Sequence, residues 1–559
     1  MMNWNTSSDC CNWNGVMCHQ STGDVIGLNL SNGMLQGTIH PNTSLLHLPH
    51  LEKLILAFND FTASKFPNGF GRLSSSLTHL NIATCGFSSQ IPTDITHLHK
   101  LVSLYLAWNA FDFNLGPHAF NNLFRNFTVL EELSLQGVVI SSVLPTYLNI
   151  SSSLKLLDLR NTGVQGKLPR SVLPTYLNLS SLKSLDLSNT SLVGKLPDNI
   201  FNLQHLEQLF LLGNNNLTGP LPEINVLDQG PILQTFRQLT NRTSLDLSYN
   251  NFRDDWELDT LLSSLTNLVS LDLSYSGLSV MTNGATRYVN PDFNTLCLAS
   301  CKIKVFPKSL QAMKNLIFLN LSSNDIHGPI PDWAGEIGGS MLLTWDISNN
   351  YITGLPQFQW PTLHNLHLQS NLIQGPFPPS ICNLSNLRYW DMSNNKFGGV
   401  IPQCVGNIFP SLIILDLGNN WFQGTVPNVF EDFIDLSYNN FQGEIPDIIG
   451  SFNNGLNDKI PDTLGNLSEI ESLDLSCNQL TREIPQGLTD DGDEEGDSGF
   501  TWKAVLLGYG YGALLGLVIG YLMFSSRKPK CFDAIGDTAE HMILNKKDIR
   551  KHIYISQRR

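Results

Sequence analysis

Three stretches of the chain share one pattern: LKSLDLSNTSLVGKLP from Leu182, LRYWDMSNNKFGGVIP from Leu387 and LIILDLGNNWFQGTVP from Leu412. Each follows L-x-x-L-x-L-x-x-N-x-L-x-G-x-I-P, with aromatic or other apolar residues standing in at some leucines and Thr190 at the asparagine of the first. About eighteen such units run from Val25 to Pro485, and Asn371, Asn395 and Asn420 follow one another at intervals of 24 and 25 residues. A period of this length decides the architecture before any other feature is weighed. In L-x-x-L-x-L the leucines point inward from a short strand and the residues between them point out. The asparagine turns inward to bond backbone groups of neighbouring coils that would otherwise be buried unpaired. Glycine permits the tight turn, and proline limits the chain after the second extended segment. One unit cannot bury its own apolar face, so the units must stack into a solenoid of the α/β class.

Charge and cysteine content narrow the function. The chain has 559 residues and a formal net charge of -15, with no basic domain, which argues against nucleic acid as a partner. Ten cysteines are too few for a small disulfide scaffold, but Cys10, Cys11 and Cys18 cluster in DCCNWNGVMC. A disulfide cap is expected there. Zinc is the alternative, and no second Cys/His pair lies at finger spacing to support it. Twelve N-x-S/T acceptor sites occur at Asn5, Asn29, Asn42, Asn126, Asn149, Asn178, Asn189, Asn216, Asn241, Asn320, Asn383 and Asn466. All precede residue 490, which points to a secreted ectodomain.

The G-x-I-P half of the unit resembles plant leucine-rich repeats, and DCCNWNGVMC resembles their N-terminal cap. LCLASCKIKVFPKSLQAMKNLIFLNLSSNDIHGPIPDW from Leu296 and DSGFTWKAVLLGYGYGALLGLVIGYLMF from Asp497 resemble segments of plant receptor-like proteins. These are single-pass membrane receptors with a leucine-rich-repeat ectodomain and no kinase. The resemblance implies the plasma membrane, the N-terminus outside, an extracellular peptide, protein or glycan ligand, and an adaptor receptor-like kinase as signalling partner. Pathogen perception is the biology it favours, with a developmental peptide receptor as runner-up.

Ala504 to Phe524 supplies 21 residues without a formal charge, enough to cross ~30 Å of hydrocarbon as a helix. Ten are Leu, Ile, Val or Phe, which favour insertion into lipid by roughly 3 to 6 kcal/mol. DDGDEEGD precedes the segment and SSRKPK follows it, and the positive flank marks the cytoplasmic side. Gly508, Gly512, Gly516 and Gly520 fall every fourth residue, on one helix face, as a seam against which a second helix packs closely. The resemblance makes that partner the kinase. The 35 residues after Phe524 hold no kinase signature, and no nucleophile, metal or paired-carboxylate constellation appears elsewhere. The chain is expected not to be an enzyme and to need no cofactor. The aspartates of the L-D-L motif, Asp158, Asp186, Asp246 and Asp272, are read as surface carboxylates.

Solenoid receptors generally bind on exposed strand or lateral faces. The outward positions that depart from Asp, Ser or Asn are Ile55, Phe58, His79, Tyr105, Trp108, Glu132, Gln136, Gln208, Phe210, His367 and Gln369. These are the ligand-contact candidates, and exposed aromatics such as Tyr105 and Trp108 suit hot spots best. Asn29 and Asn320 are acceptor sites on strands, where glycans would restrict that face. Cys382 and Cys404 follow corresponding turns of adjacent units, a context in which the family often carries cysteines. They can bridge if their Cα atoms approach within ~7 Å. Cys11 pairs plausibly with Cys18, leaving Cys10 over. Cys85 and Cys301 take the asparagine position and are read as small buried thiols.

The organisation expected is a partial cap over 1–24, a repeat ectodomain over 25–489 with one incomplete unit near 450–462, an acidic juxtamembrane stretch over 490–503, a membrane helix over 504–524 and a tail over 525–559. MMNWNTSSDCC lacks the apolar region of a signal peptide, and the expected late repeats and paired-cysteine cap do not follow Pro485. A missing upstream part is the simplest reading. A soluble inhibitor of cell-wall hydrolases and a non-signalling fragment are the rival readings.

Overall fold

The computed structural model describes most of residues 4–480 and residues 552–554; segments 145–152, 169–180, 220–242, 283–288, 406–411, 426–432 and 444–471, with several shorter ones, lie outside the description. The described chain forms two units, Met1–Asn290 and Pro291–Arg559. In each, the L-x-x-L-x-L segment becomes a short strand paired in parallel with its successor. The series runs from Val25–Asn29 to Ser270–Asp272 in the first unit and from Thr295–Cys297 to Ser472–Asp474 in the second. Register places leucine on leucine: Leu54 aligns with Leu80, and Leu80 with Leu104. All three are fully buried, because alternation along a strand sends every second side chain to the same face.

The second apolar segment of the unit forms a narrower parallel sheet. Gln165–Gly166, Ser191–Gly194, Asn216–Gly219 and Asn251–Phe252 make it in the first unit. Gln374–Gly375, Lys396–Gly399, Trp421–Gly424, Asn440–Gly443 and Gln479–Leu480 make it in the second. Most returns to the next strand are single 3-10 turns such as Thr93–His97 and Lys308–Ala312. Two described returns are α-helices, Leu258–Ser264 and the longer Pro117–Asn126. The latter starts with proline in its first turn and buries Ala119, Phe120, Leu123 and Phe124, the spacing of an amphipathic helix.

The inward asparagine closes the polar account of each coil. Asn350 Nδ2 donates to the carbonyls of Leu321 (3.0 Å), Ile347 (3.1 Å) and Ser348 (3.1 Å), and its Oδ1 accepts from Ile326 N–H at 3.0 Å. The same pattern recurs at Asn59, Asn324, Asn371, Asn395, Asn420 and Asn439. Cys85 replaces it with a thiol that donates to Leu56 O at 3.0 Å, and burial pushes that thiol up to about 11. Cys301 is buried at the equivalent position.

At the start of the chain, Val16–Cys18 pairs antiparallel with Val25–Asn29 and covers the edge of the first repeat strand. Cys11 and Cys18 are bonded, with Cα atoms 5.6 Å apart. Cys382 and Cys404 are bonded at a Cα separation of 5.7 Å. Among the described residues no helix is long and apolar enough to cross a membrane. The segment 504–524, with Gly508, Gly512, Gly516 and Gly520, lies outside the described residues. A strand at His552–Tyr554 aligns in parallel with Ser472–Asp474.

Candidate ligand-binding strand face

Each repeat strand is an apolar residue between two outward ones, so parallel register lays the outward side chains in columns. In the first unit one column runs Lys53, His79, Ser103, Glu132, Leu156, Ser184, Gln208 and Ser244. The other runs Ile55, Asn81, Tyr105, Ser134, Asp158, Asp186, Phe210, Asp246 and Asp272. In the second unit the columns run Thr295, Phe318, Thr344, Asn365, Tyr389 and Ile414, and Cys297, Asn320, Asp346, His367, Asp391, Asp416 and Asp435. Strands are ~4.8 Å apart, so neighbours in a column interact directly.

The aspartates of the second column are not surface carboxylates. Asp186, Asp246 and Asp272 are 8%, 2% and 0% exposed, which corrects the expectation from sequence. The reason is local. Each Oδ1 turns back to accept the N–H two residues on: Ser188 at 2.9 Å, Ser248 at 2.9 Å and Ser274 at 2.8 Å. Asp346, Asp391, Asp416 and Asp435 do the same for Ser348, Ser393, Gly418 and Ser437. The L-D-L-S motif is therefore a side-chain cap that closes the strand exit.

Burial raises the acid. It pushes Asp186 up to about 6, and together with Asp391 and Asp435 it pushes Asp416 up to about 7. Asp246 is driven well above the usual carboxylate range by burial and by Asp272 beside it. Burial likewise raises Asp158 and Asp391.

The first unit supplies a counter-cation that sequence reading missed. Arg160 stands 3.4 Å from Asp186 and 3.8 Å from Asp158, and donates from Nη2 to Gln136 Oε1 at 2.8 Å. Gln136, expected as a ligand contact, is only 6% exposed and is occupied by that bond. The signal was L-D-L-R, where other repeats have L-D-L-S.

Nearby, Tyr105 Oη donates to Glu132 Oε2 at 2.8 Å, and burial together with Glu132 raises the phenol above its ordinary value. His79 is lowered by burial, with Lys53 adding to the effect. Ile55, Gln208, Phe210 and His367 are half-buried on their strands, and Gln369 is half-buried two residues past the strand Asn365–His367.

Phe58 and Trp108 do not lie on strands. They occupy the left-handed turn just before the inward ladder position, with φ 59° and 54°, an uncommon conformation for a bulky residue. The turn is held because Phe58 N–H donates to Ala83 O at 3.1 Å and Trp108 N–H to Gln136 O at 3.0 Å. It projects the two rings from the rim at 58% and 54% exposure. Phe111 is more exposed still, at 93%, and was not singled out. Phe113 fills the core position where the register of the consensus would have put Phe111.

Cys10, Cys11 and Cys18 are the one group of possible metal ligands found among the described residues. The Cys11–Cys18 bond leaves Cys10 as its only thiol, too few ligands for a structural zinc.

Comparison with known proteins agrees with this architecture. The leucine rich repeat N-terminal domain family matches residues 1–19, and the Leucine Rich Repeat family matches 181–203, 315–336, 362–384, 411–433, 432–452 and 469–490. Receptor like protein 22 of Arabidopsis thaliana is 32% identical over 72% of this chain and 46% of its own length. Receptor-like protein 6 of the same plant is 28% identical over 76% of this chain and 59% of its own length. Receptor-like protein Cf-9 of Solanum pimpinellifolium is 34% identical over 29% of this chain. The chain thus spans about half the length of the curated relatives it matches. Among solved structures, the Arabidopsis receptor kinase HAESA, in complex with the peptide hormone IDA and the co-receptor SERK1, is 25% identical. It superposes with a TM-score of 0.60 over 86% of this chain and 83% of its own.

Proposed function

The chain belongs to the plant leucine-rich-repeat receptor-like proteins, a non-enzymatic family of cell-surface receptors without a kinase domain, and from that premise we propose that it binds an extracellular peptide on its strand faces and signals through an associated receptor-like kinase. A pathogen-derived ligand in plant defence is the biology this reading favours. The observation that carries it is the outward columns themselves, which hold half-buried Tyr105, Glu132, His367 and Tyr389 on a backbone ladder that binding need not reorganise. Preorganised surface of this kind spares the ordering cost of association. The HAESA complex, which holds the peptide hormone IDA, supports a peptide over a glycan.

The anchor is assigned to 504–524 and its kinase contact to Gly508, Gly512, Gly516 and Gly520. A bilayer crossing there puts His552–Tyr554 on the opposite side from Ser472–Asp474, so it excludes the pairing of those two strands. The test is the full chain behind a secretory leader, tagged at its C-terminus, in intact plant cells. The tag should resist external protease, and the chain should partition with membranes and co-purify a kinase. Replacing the four glycines with leucine should abolish that recovery. A tag digested from outside, or undiminished kinase recovery from the leucine variant, refutes the assignment.

A further inference from the structure

We infer that Asn29 and Asn320 carry N-linked glycans that stand on the strand faces of their units and bound the area a ligand can reach. The inference rests on the cell-surface reading above and adds to it a covalent map. Both asparagines head N-L-S acceptor sequences, and both end a repeat strand in the column elsewhere filled by the capping aspartates. Asn29 Oδ1 accepts from Ser31 N–H at 3.2 Å and from Ser31 Oγ at 2.7 Å. Asn320 Oδ1 accepts from Ser322 N–H at 2.8 Å. The amide oxygen therefore does the structural work, and among the described residues no hydrogen bond is found from either Nδ2.

That nitrogen is the atom the modification uses. Nδ2 attacks the anomeric carbon of a polyprenyl-diphosphate oligosaccharide. The N–C bond forms as the C–O bond to diphosphate breaks, the lipid diphosphate leaves with the bonding pair, and one Nδ2 proton passes to base. The product keeps Oδ1 as an acceptor, so the cap at Ser31 or Ser322 survives. The ladder asparagines are built the other way. Asn324 commits Nδ2 to Leu298 O at 2.8 Å and Leu321 O at 2.9 Å, and two residues on it has buried Ile326 where an acceptor sequence needs serine or threonine. Packing thus excludes the sugar where the nitrogen is in use and admits it where the nitrogen is idle.

The consequence is positional. Asn29 aligns directly with Ile55, and Asn320 with Cys297 and Asp346. A branched glycan, bulky beside a strand spacing of ~4.8 Å, covers these neighbours. Tyr105 lies three strands from Asn29. His367 is two strands, or ~10 Å, from Asn320, and Asp391 and Asp416 are farther still. Contact then belongs to Tyr105 and beyond in the first unit and to His367 and beyond in the second, and Ile55 is withdrawn from the ligand.

The experiment is peptide mapping of the full chain, carried behind a secretory leader and purified from plant-cell membranes, after release by a glycoamidase that tolerates core fucose in heavy-oxygen water. Asn29 and Asn320 should both be converted to labelled aspartate. Ser31→Ala and Ser322→Ala, which leave the backbone N–H of each cap in place, should each remove one glycan's worth of electrophoretic mobility. Hydroxyl-radical labelling of Ile55 should rise at least twofold in S31A while Tyr105 stays unchanged. If Asn42 and Asn383 are occupied but Asn29 and Asn320 are not, the inference falls while the cell-surface reading stands. If no acceptor is occupied in a chain that traversed the secretory route, the inference alone falls; a chain found only in the cytosol overturns the cell-surface reading with it. Equal labelling of Ile55 in S31A overturns the shielding.

Discussion

Replacing Asp416 with asparagine isolates the cost of the buried acid column. The carboxylate sits between Asp391 and Asp435 in register, and burial with those two neighbours raises it from 3.8 to about 7. A raised carboxyl is easier to bury protonated than charged. Its penalty is therefore absent below the unfolded value, grows as pH rises from 3.8 to about 7, and is complete above that. A rise from 3.8 to about 7 corresponds to roughly 4 kcal/mol, and sharing the column with Asp391 brings the expectation to about 2–4 kcal/mol.

Asparagine keeps the oxygen that accepts Gly418 N–H at 2.9 Å and removes only the charge. The protein already uses that solution at Asn81 and Asn320, whose Oδ1 atoms cap Ala83 and Ser322. Urea denaturation of the detergent-solubilised full chain, followed by hydrogen exchange at the strand Ile414–Asp416, should show Asp416 making wild type less stable at pH 8 than at pH 5 by about 1–3 kcal/mol, since part of the penalty is already present at pH 5. The variant should be stabilised at pH 8 and lose the share of the dependence that belongs to Asp416, while Asp186 and Asp246 keep theirs. A variant no more stable than wild type at pH 8, or one that keeps the full slope, would refute the reasoning.

Asn350→Ala leaves Ile326 N–H without its acceptor, while the carbonyls of Leu321 and Ile347 each lose one donor but keep the Nδ2 of Asn324 and Asn371. At ~1–3 kcal/mol for a buried group left unmade, it should cost about 1–3 kcal/mol by denaturant titration, whereas exposed Asn349→Gly should shift the midpoint little. Cys382→Ser opens a 22-residue loop and should lower stability by ~3 kcal/mol, with reductant causing no further loss attributable to that bond. Arg160→Gln removes the cation beside Asp158 and Asp186. It should raise both carboxyls further and steepen the loss of stability between pH 5 and 8, measured by the same titration.

How much was legible depended on whether a residue's neighbours were its own. The strand triplets, the inward asparagines and the thiol substitutes at Cys85 and Cys301 follow from position within one unit, because the alternation of a strand and the turn after it are local. The burial of Asp246 does not. It arises because Asp272, 26 residues on, is stacked on it and because the carboxylate folds back onto Ser248. Gln136 fails as an exposed contact for the same reason, since Arg160 comes from the next coil.

The repeat in the sequence alone determined that the chain winds into stacked coils, which residues fill them and where outward columns fall. The coil period and the alternation of side chains allow no other way to bury the leucines. Tertiary structure decided the state of those columns: which aspartates are pushed above the ordinary carboxylate range, which rings leave through a left-handed turn, and which asparagine nitrogens stay idle. Each of these turns on contacts between residues about 24 positions apart or on a backbone turn held by the next coil, and such contacts exist only once the coils have stacked.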